Sequence, residues 1–192
     1  MQPSAIAWTV CLLPLICIHI SWVWSASVNA IPWCNPYWDG CVSISRAARS
    51  SDALFLFRAC MILSAAWLMM YWRLCSHFLQ VRGWSAKPYT MLVLGYLGAL
   101  FLVLYADFLG TEGTVYRLMR RYGVIFFFTF TVLAQYFFIR DLWHRKEELL
   151  PVIGYPKTML GLGLFVLVIG FISLWATITL ENPAKDRWEN VT

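Results

Sequence analysis

Three arginines stand close together in YRLMRRYG, residues 116–123: Arg117, Arg120 and Arg121. In a helix that begins near Thr114, the i, i+3 and i+4 spacing puts all three on one face. A guanidinium pairs bidentately with phosphate or carboxylate, so such a face suits an anionic group. Carboxylates also lie in reach of these arginines along the chain: Asp107, then Glu112 in a glycine-bounded turn before the helix, and Asp52. Mutual neutralisation is the plainer expectation, because interfacial charges are normally paired. Arg58 is different. It sits about one turn inside an apolar stretch, where an ionisable group marks a functional position by default and needs a partner; Asp107 and Asp52 are the expected ones.

The second group is IPWCNPYWDGCVSIS, residues 31–45. Cys34 and Cys41 share this loop and can close a small ring in an oxidising compartment. A zinc site would need about four ligands, and no histidine stands nearby, so no metal is expected. Cys11, Cys17, Cys60 and Cys75 fall in or at the ends of apolar stretches and are read as small packing residues. His19 lies within the first apolar stretch and has no second histidine at similar depth, which removes a bis-histidine haem. It is read as an interhelical hydrogen-bonding residue or a proton-transfer group near the surface. Ser43 and Ser45 are the loop's hydroxyls. A serine nucleophile would need a base, and His19 is the candidate on that side.

Phosphate-binding glycine loops, a zinc-protease helix motif and a nucleophile elbow are all missing from the sequence. A thiol–quinone oxidoreductase would require two communicating cysteine pairs, and the loop offers one widely spaced pair. A transporter is disfavoured by the lack of an internal repeat. No cofactor is implied, and nothing points to nucleic acid.

The elements that must hold these groups follow from composition. Of 192 residues, 60% are hydrophobic and 13% charged, against about 25% charged in soluble domains. Five stretches approach the roughly 20 apolar residues a span requires: 5–28, 53–75, 88–106, 122–139 and 158–180. The expected fold is an all-α polytopic transmembrane bundle forming one domain over residues 1–192. The first stretch lacks a basic leader and is longer than a signal-peptide core, so it is read as a retained helix that accommodates Pro14. Lysines and arginines divide seven to each side, with Arg58 inside a span, so the positive-inside rule gives no orientation. The cysteine pair places residues 29–52, 107–121 and 181–192 outside, with the N-terminus cytoplasmic. His77 and His144 fall on the opposite side, in loops read as interfacial anchors.

A pattern of segments accompanies this arrangement: CVSISRAA at 41–48, LFLFRACMILSAAWLMMYWRL at 54–74, ADFLGTEG at 106–113 and YRLMRRYG at 116–123. Over most of residues 5–182 the chain resembles the FRAG/DRAM/SFK family. That family groups GPI-anchor lipid-remodelling factors, damage-regulated autophagy modulators and SFK-type plasma-membrane proteins. The resemblance implies six helices with both termini cytoplasmic, and a setting of lipid remodelling and membrane trafficking. Five spans are visible here, with a sixth expected beyond Thr192, and the short loops suggest a bacterial inner-membrane member. The resemblance transfers no catalytic residues.

Together these features lead us to expect a non-enzymatic membrane protein. It would bind a lipid headgroup or a partner membrane protein through a polar outer-face pocket, as an accessory subunit or lipid-organising factor. Arg58, Asp107, Glu112, Arg117, Arg120, Arg121 and Asp52 would line that pocket beneath a disulfide-closed aromatic cap. An acyl-transfer enzyme acting on outer-leaflet lipids is the alternative.

Overall fold

The computed structural model describes residues 3–39, 41–49, 51–84, 87–143 and 156–179. Its helices are α1 (Pro3–Ser27), the short α2 (Ile44–Ala47), α3 (Ala53–Val81), α4 (Pro88–Asp107), α5 (Thr114–Trp143) and α6 (Pro156–Thr179). No strand occurs among the described residues. An apolar chain in lipid has no water for its peptide groups and must pair them within each segment, which helices do. Four helices, α1, α3, α4 and α5, are long and apolar enough to cross a membrane. The chain is thus an all-α bundle with the marks of a multi-pass membrane protein. The fifth expected span coincides with α6, in which the described residues give a shorter apolar stretch, Gly161–Gly170.

Two helices outrun the expected spans. α3 continues to Val81 and α5 begins at Thr114 and runs 30 residues. At 1.5 Å per residue α5 is about 45 Å long, against roughly 30 Å of hydrocarbon. Its first two turns, which carry the arginines, therefore belong to the headgroup region.

Substantial packing follows chain order, α1 on α3, α3 on α4, α4 on α5 and α5 on α6. The α1 contact stripe consists of small residues: Cys17, Ser21 and Ser25 are buried at helical spacing. Lipid supplies no hydrophobic drive between helices, so small side chains that allow close approach govern such contacts. Leu12, Leu15, Ile16 and Ile20 of α1 stay exposed, as a lipid-facing surface requires. The central core lies along α3 and α4 and includes Phe57, Met61, Leu68, Trp72, Met91 and Leu102. α4 and α5 approach tightly at two glycines: an added Cβ would lie 2.8 Å from Thr131 Oγ1 at Gly98 and 3.0 Å from the Tyr105 backbone at Gly123.

At the other end of α3 the helix stops in a Schellman motif. Gly83, at φ +63°, donates to the Gln80 carbonyl, and the Trp84 N–H donates to the Leu79 carbonyl. The accompanying hydrophobic contact is Trp84 edge-on to Phe78, with the Arg82 guanidinium over both rings. Arg140 likewise lies over Phe137 and pairs with the buried Asp141 at 2.8 Å. These are the interfacial anchors expected on this side. His77 is exposed there, and His144 lies outside the described residues.

Candidate functional site

Two constructions occupy the end of the bundle where α1 meets α3 and α4 meets α5. The first surrounds the 108–113 turn. A helix leaves its last four carbonyls without intrahelical donors, and in α4 that end lies near the membrane boundary. Arg58 of α3 donates to the Leu109 carbonyl through Nη2 (2.6 Å) and Nε (3.2 Å). Arg120 of α5 donates through Nη1 to the carbonyls of Phe108 (3.1 Å) and Thr111 (2.6 Å). Arg49 and Arg120 also lie within electrostatic reach of the Tyr105 hydroxyl. Cations therefore gather at the negative end of the α4 dipole, where they are favoured. Leu54 presses against Gly110, and Phe108 stacks on Tyr116 at 5.6 Å, closing the turn against α3 and α5.

This corrects the expected partner of Arg58, which is a backbone carbonyl and neither Asp107 nor Asp52. It also divides the arginine face. α5 does begin at Thr114, but Arg120 turns onto the turn's carbonyls while Arg117 and Arg121 remain exposed. Among the described residues, neither Arg117 nor Arg121 has a side-chain hydrogen bond or ion pair, and neither do the exposed Asp107 and Glu112. Mutual neutralisation by these carboxylates is therefore not what the structure shows. Asp52 occupies the N-cap of α3 without a side-chain capping bond. Capping passes to Ser51, whose Oγ accepts from the Ala53 N–H (3.2 Å) and bonds Ser25 Oγ of α1 (2.7 Å).

The second construction is the loop from Val28 to Ser43. Cys34 and Cys41 form a disulfide across a Cα–Cα distance of 6.7 Å, as the loop's sequence suggested. A second disulfide joins Cys17 of α1 to Cys60 of α3, Cα–Cα 6.2 Å. These two were read as separate packing residues, and that reading is corrected. Cys11 and Cys75 are the free cysteines, one exposed and one buried. The cysteine-pair count that spoke against thiol exchange is thus two. Cys17, however, is 4% exposed within the α1–α3 contact, where a thiolate would be desolvated.

The loop folds back along α1. Ile31 and Val42 pack with Ala26 and Ala47 in a small core of their own, and Trp22 meets Trp33 edge-on at 6.2 Å. Asn35 shapes the turn: its Oδ1 accepts from the N–H groups of Tyr37 (3.0 Å) and Trp38 (3.3 Å), while its own N–H donates to Asp39 Oδ2 (2.8 Å). Tyr37 thereby reaches His19, two turns below the end of α1. His19 Nδ1 lies 2.7 Å from the Leu15 carbonyl, which can only accept, so Nδ1 carries hydrogen. Nε2 lies 2.8 Å from the Tyr37 hydroxyl, and in the tautomer with hydrogen on Nδ1 it accepts that hydroxyl's hydrogen bond. His19 is accordingly a helix-to-loop contact, where an interhelical one was expected.

Both nitrogens being engaged, His19 is not brought to Ser43 as a base. Ser43 is buried and its carbonyl accepts from the N–H groups of Arg46 and Ala47, starting α2. The Ser45 side chain lies outside the described residues. No group of three or more metal-ligating side chains occurs among the described residues. The two constructions share one end of the bundle: Leu54 and Arg58 of α3 meet the 108–113 turn, while Tyr37 meets His19 of α1. No protein-family model, curated protein or solved structure matches the chain.

Proposed function

We propose that this chain is a non-enzymatic multi-pass membrane protein that holds an anionic lipid headgroup at the outer end of α5. It would serve as a lipid-organising factor or as an accessory subunit to a partner membrane protein. The observation carrying this reading is the division among the arginines. Arg58 and Arg120 are committed to carbonyls of the 108–111 turn, whereas Arg117 and Arg121 stay exposed at i, i+4 on helical turns that project past the hydrocarbon. Two guanidiniums on one face, held by a stapled turn, suit a phosphodiester. Exposed Tyr116 and Tyr122 flank them as interfacial anchors.

The orientation proposed is N-terminus cytoplasmic, in a bacterial inner membrane. The Cys34–Cys41 disulfide lies in the α1–α3 connection, and disulfides persist on the oxidising side. The FRAG/DRAM/SFK resemblance read in the sequence supports the same lipid setting. An acyl-transfer enzyme has less support, because His19 is engaged at both nitrogens and Ser43 is buried.

Native mass spectrometry of the protein extracted gently from its own membrane tests the reading, beside an Arg117→Ala/Arg121→Ala variant. A retained anionic lipid that is lost from the variant is the expected result. A protein partner lost in its place would move the proposal from lipid to subunit binding. Equal retention in both samples would overturn it.

A further inference from the structure

The loop leaves a hollow against α1, about 410 Å³, whose walls include His19, Trp22, Trp33, Asn35 and Tyr37. Its rings stand in two orientations. Trp22 and Trp33 meet at 76°, forming a corner, while Tyr37 stacks on His19 at 27° with centroids 6.1 Å apart. Trp22, Trp33 and Tyr37 line one recess, and rings of these types attract a cation through their quadrupoles. No lysine or arginine lines the hollow. The Asp39 carboxylate lies one hydrogen bond behind its Asn35 wall, which adds negative potential.

We infer that this hollow binds the quaternary ammonium headgroup of a membrane lipid. The hydrogen-bonding inventory selects that class over a primary ammonium. A primary ammonium brings three donors that must be accepted. Here His19 Nε2 is engaged by Tyr37 and Asn35 Oδ1 by two loop N–H groups, which leaves the Tyr37 oxygen as the one side-chain acceptor of these for three donors. A trialkylammonium has no N–H to satisfy and needs only apolar, electron-rich walls. The position suits a lipid as well. The recess sits beside His19 of α1, and Leu12, Leu15 and Ile16, one to two turns deeper in the helix, are exposed apolar residues, so an acyl chain can continue along α1 toward the bilayer interior. The Arg117/Arg121 pair belongs to α5 and does not line this hollow.

The test is titration calorimetry on the full chain in a maltoside detergent, with three short-chain lipids. One carries phosphocholine, one phosphoglycerol, and one the 3,3-dimethylbutyl ester that copies choline's shape without its charge. The phosphocholine lipid is expected to bind about tenfold more tightly than its uncharged copy, the scale of a desolvated cation–π contact. Trp33→Leu is expected to remove about that factor for phosphocholine alone. Trp33 is 62% exposed, so the variant keeps its fold, and an unchanged melting temperature verifies this. The series is repeated in the Arg117→Ala/Arg121→Ala variant, which removes the proposed anionic site, and the preference for phosphocholine over its uncharged copy should persist there. Equal binding of the charged lipid and its uncharged copy in that variant would make the hollow a plain apolar recess and overturn the inference. Equal binding of phosphoglycerol in that variant would overturn it too.

Discussion

The α1–α3 connection and the α4–α5 connection face the same task, holding a polar loop over helix ends at a membrane boundary, and they meet it with different chemistry. The first uses covalent bonds and rings. Cys17–Cys60 ties the helices, Cys34–Cys41 closes the loop, and Tyr37 and Trp33 fold down onto α1. The second has no disulfide and uses charge. Arg58 and Arg120 donate to carbonyls of the turn that follows α4. What each leaves over follows from its means. Rings that meet at right angles leave a hollow, and a turn stapled by two of four nearby arginines leaves the other two, Arg117 and Arg121, facing outward. On the charged side the structural work is done by arginines that the binding proposal does not use, whereas on the covalent side Trp33 and Tyr37 serve both.

The largest expected effect separates the covalent side from the charged one. Replacing Cys17 and Cys60 together by Ser should lower unfolding stability by about 3 kcal/mol, within the range for native disulfides, as read by denaturant or thermal unfolding in detergent. A reducing agent should lower the wild type similarly and leave that variant's α4–α5 side unaffected. If the double variant melts with the wild type, packing alone secures α1.

Next is the charged side. Arg58→Met should cost about 2 kcal/mol, because it removes two charge-assisted bonds and leaves the Leu109 carbonyl without its donor. Hydrogen exchange at residues 108–113 should rise with it. Unchanged protection there would contradict the stapling role. Ser51→Ala comes third, at about 1 kcal/mol for a lost helix cap, measured by the same melting assay. Smaller still is Tyr37→Phe, at about 1 kcal/mol or less for one exposed-side hydrogen bond. Its informative readout is the His19 imidazole in nitrogen NMR, where the Nε2 signal should move as its donor is lost.

The fold was legible because hydropathy reports directly on spans, and the start of α5 at Thr114 followed from the turn glycines before it. Hydropathy understated α3 and α5, since polar ends such as Arg117–Arg121 and Ser76–Gln80 lower the signal while the backbone continues helical. The Cys34–Cys41 pairing could be read because both lie in one loop. Cys17–Cys60 could not, because it depends on which faces α1 and α3 turn to each other, and single cysteines in separate spans carry no register. Arg58 was recognised as needing a partner, yet charge logic directed it to Asp107 or Asp52. The carbonyls of the turn that follows a helix are invisible to side-chain reading, and they are what it found. The His19–Tyr37 contact was missed for a related reason, that a loop able to fold back two turns reveals this only in its Asn35-centred geometry.

The most direct test of the division of labour among the arginines is a paired measurement of lipid retention and melting temperature on Arg120→Ala and on Arg117→Ala/Arg121→Ala. Lipid would be read by native mass spectrometry after exchange into nanodiscs of mixed phosphatidylglycerol and phosphatidylcholine. Arg120→Ala should lower the melting temperature and keep the phosphatidylglycerol, whereas the double variant should keep the melting temperature and lose that lipid. A double variant that melts early while retaining phosphatidylglycerol would show Arg117 and Arg121 to be structural, and would contradict the proposed headgroup site.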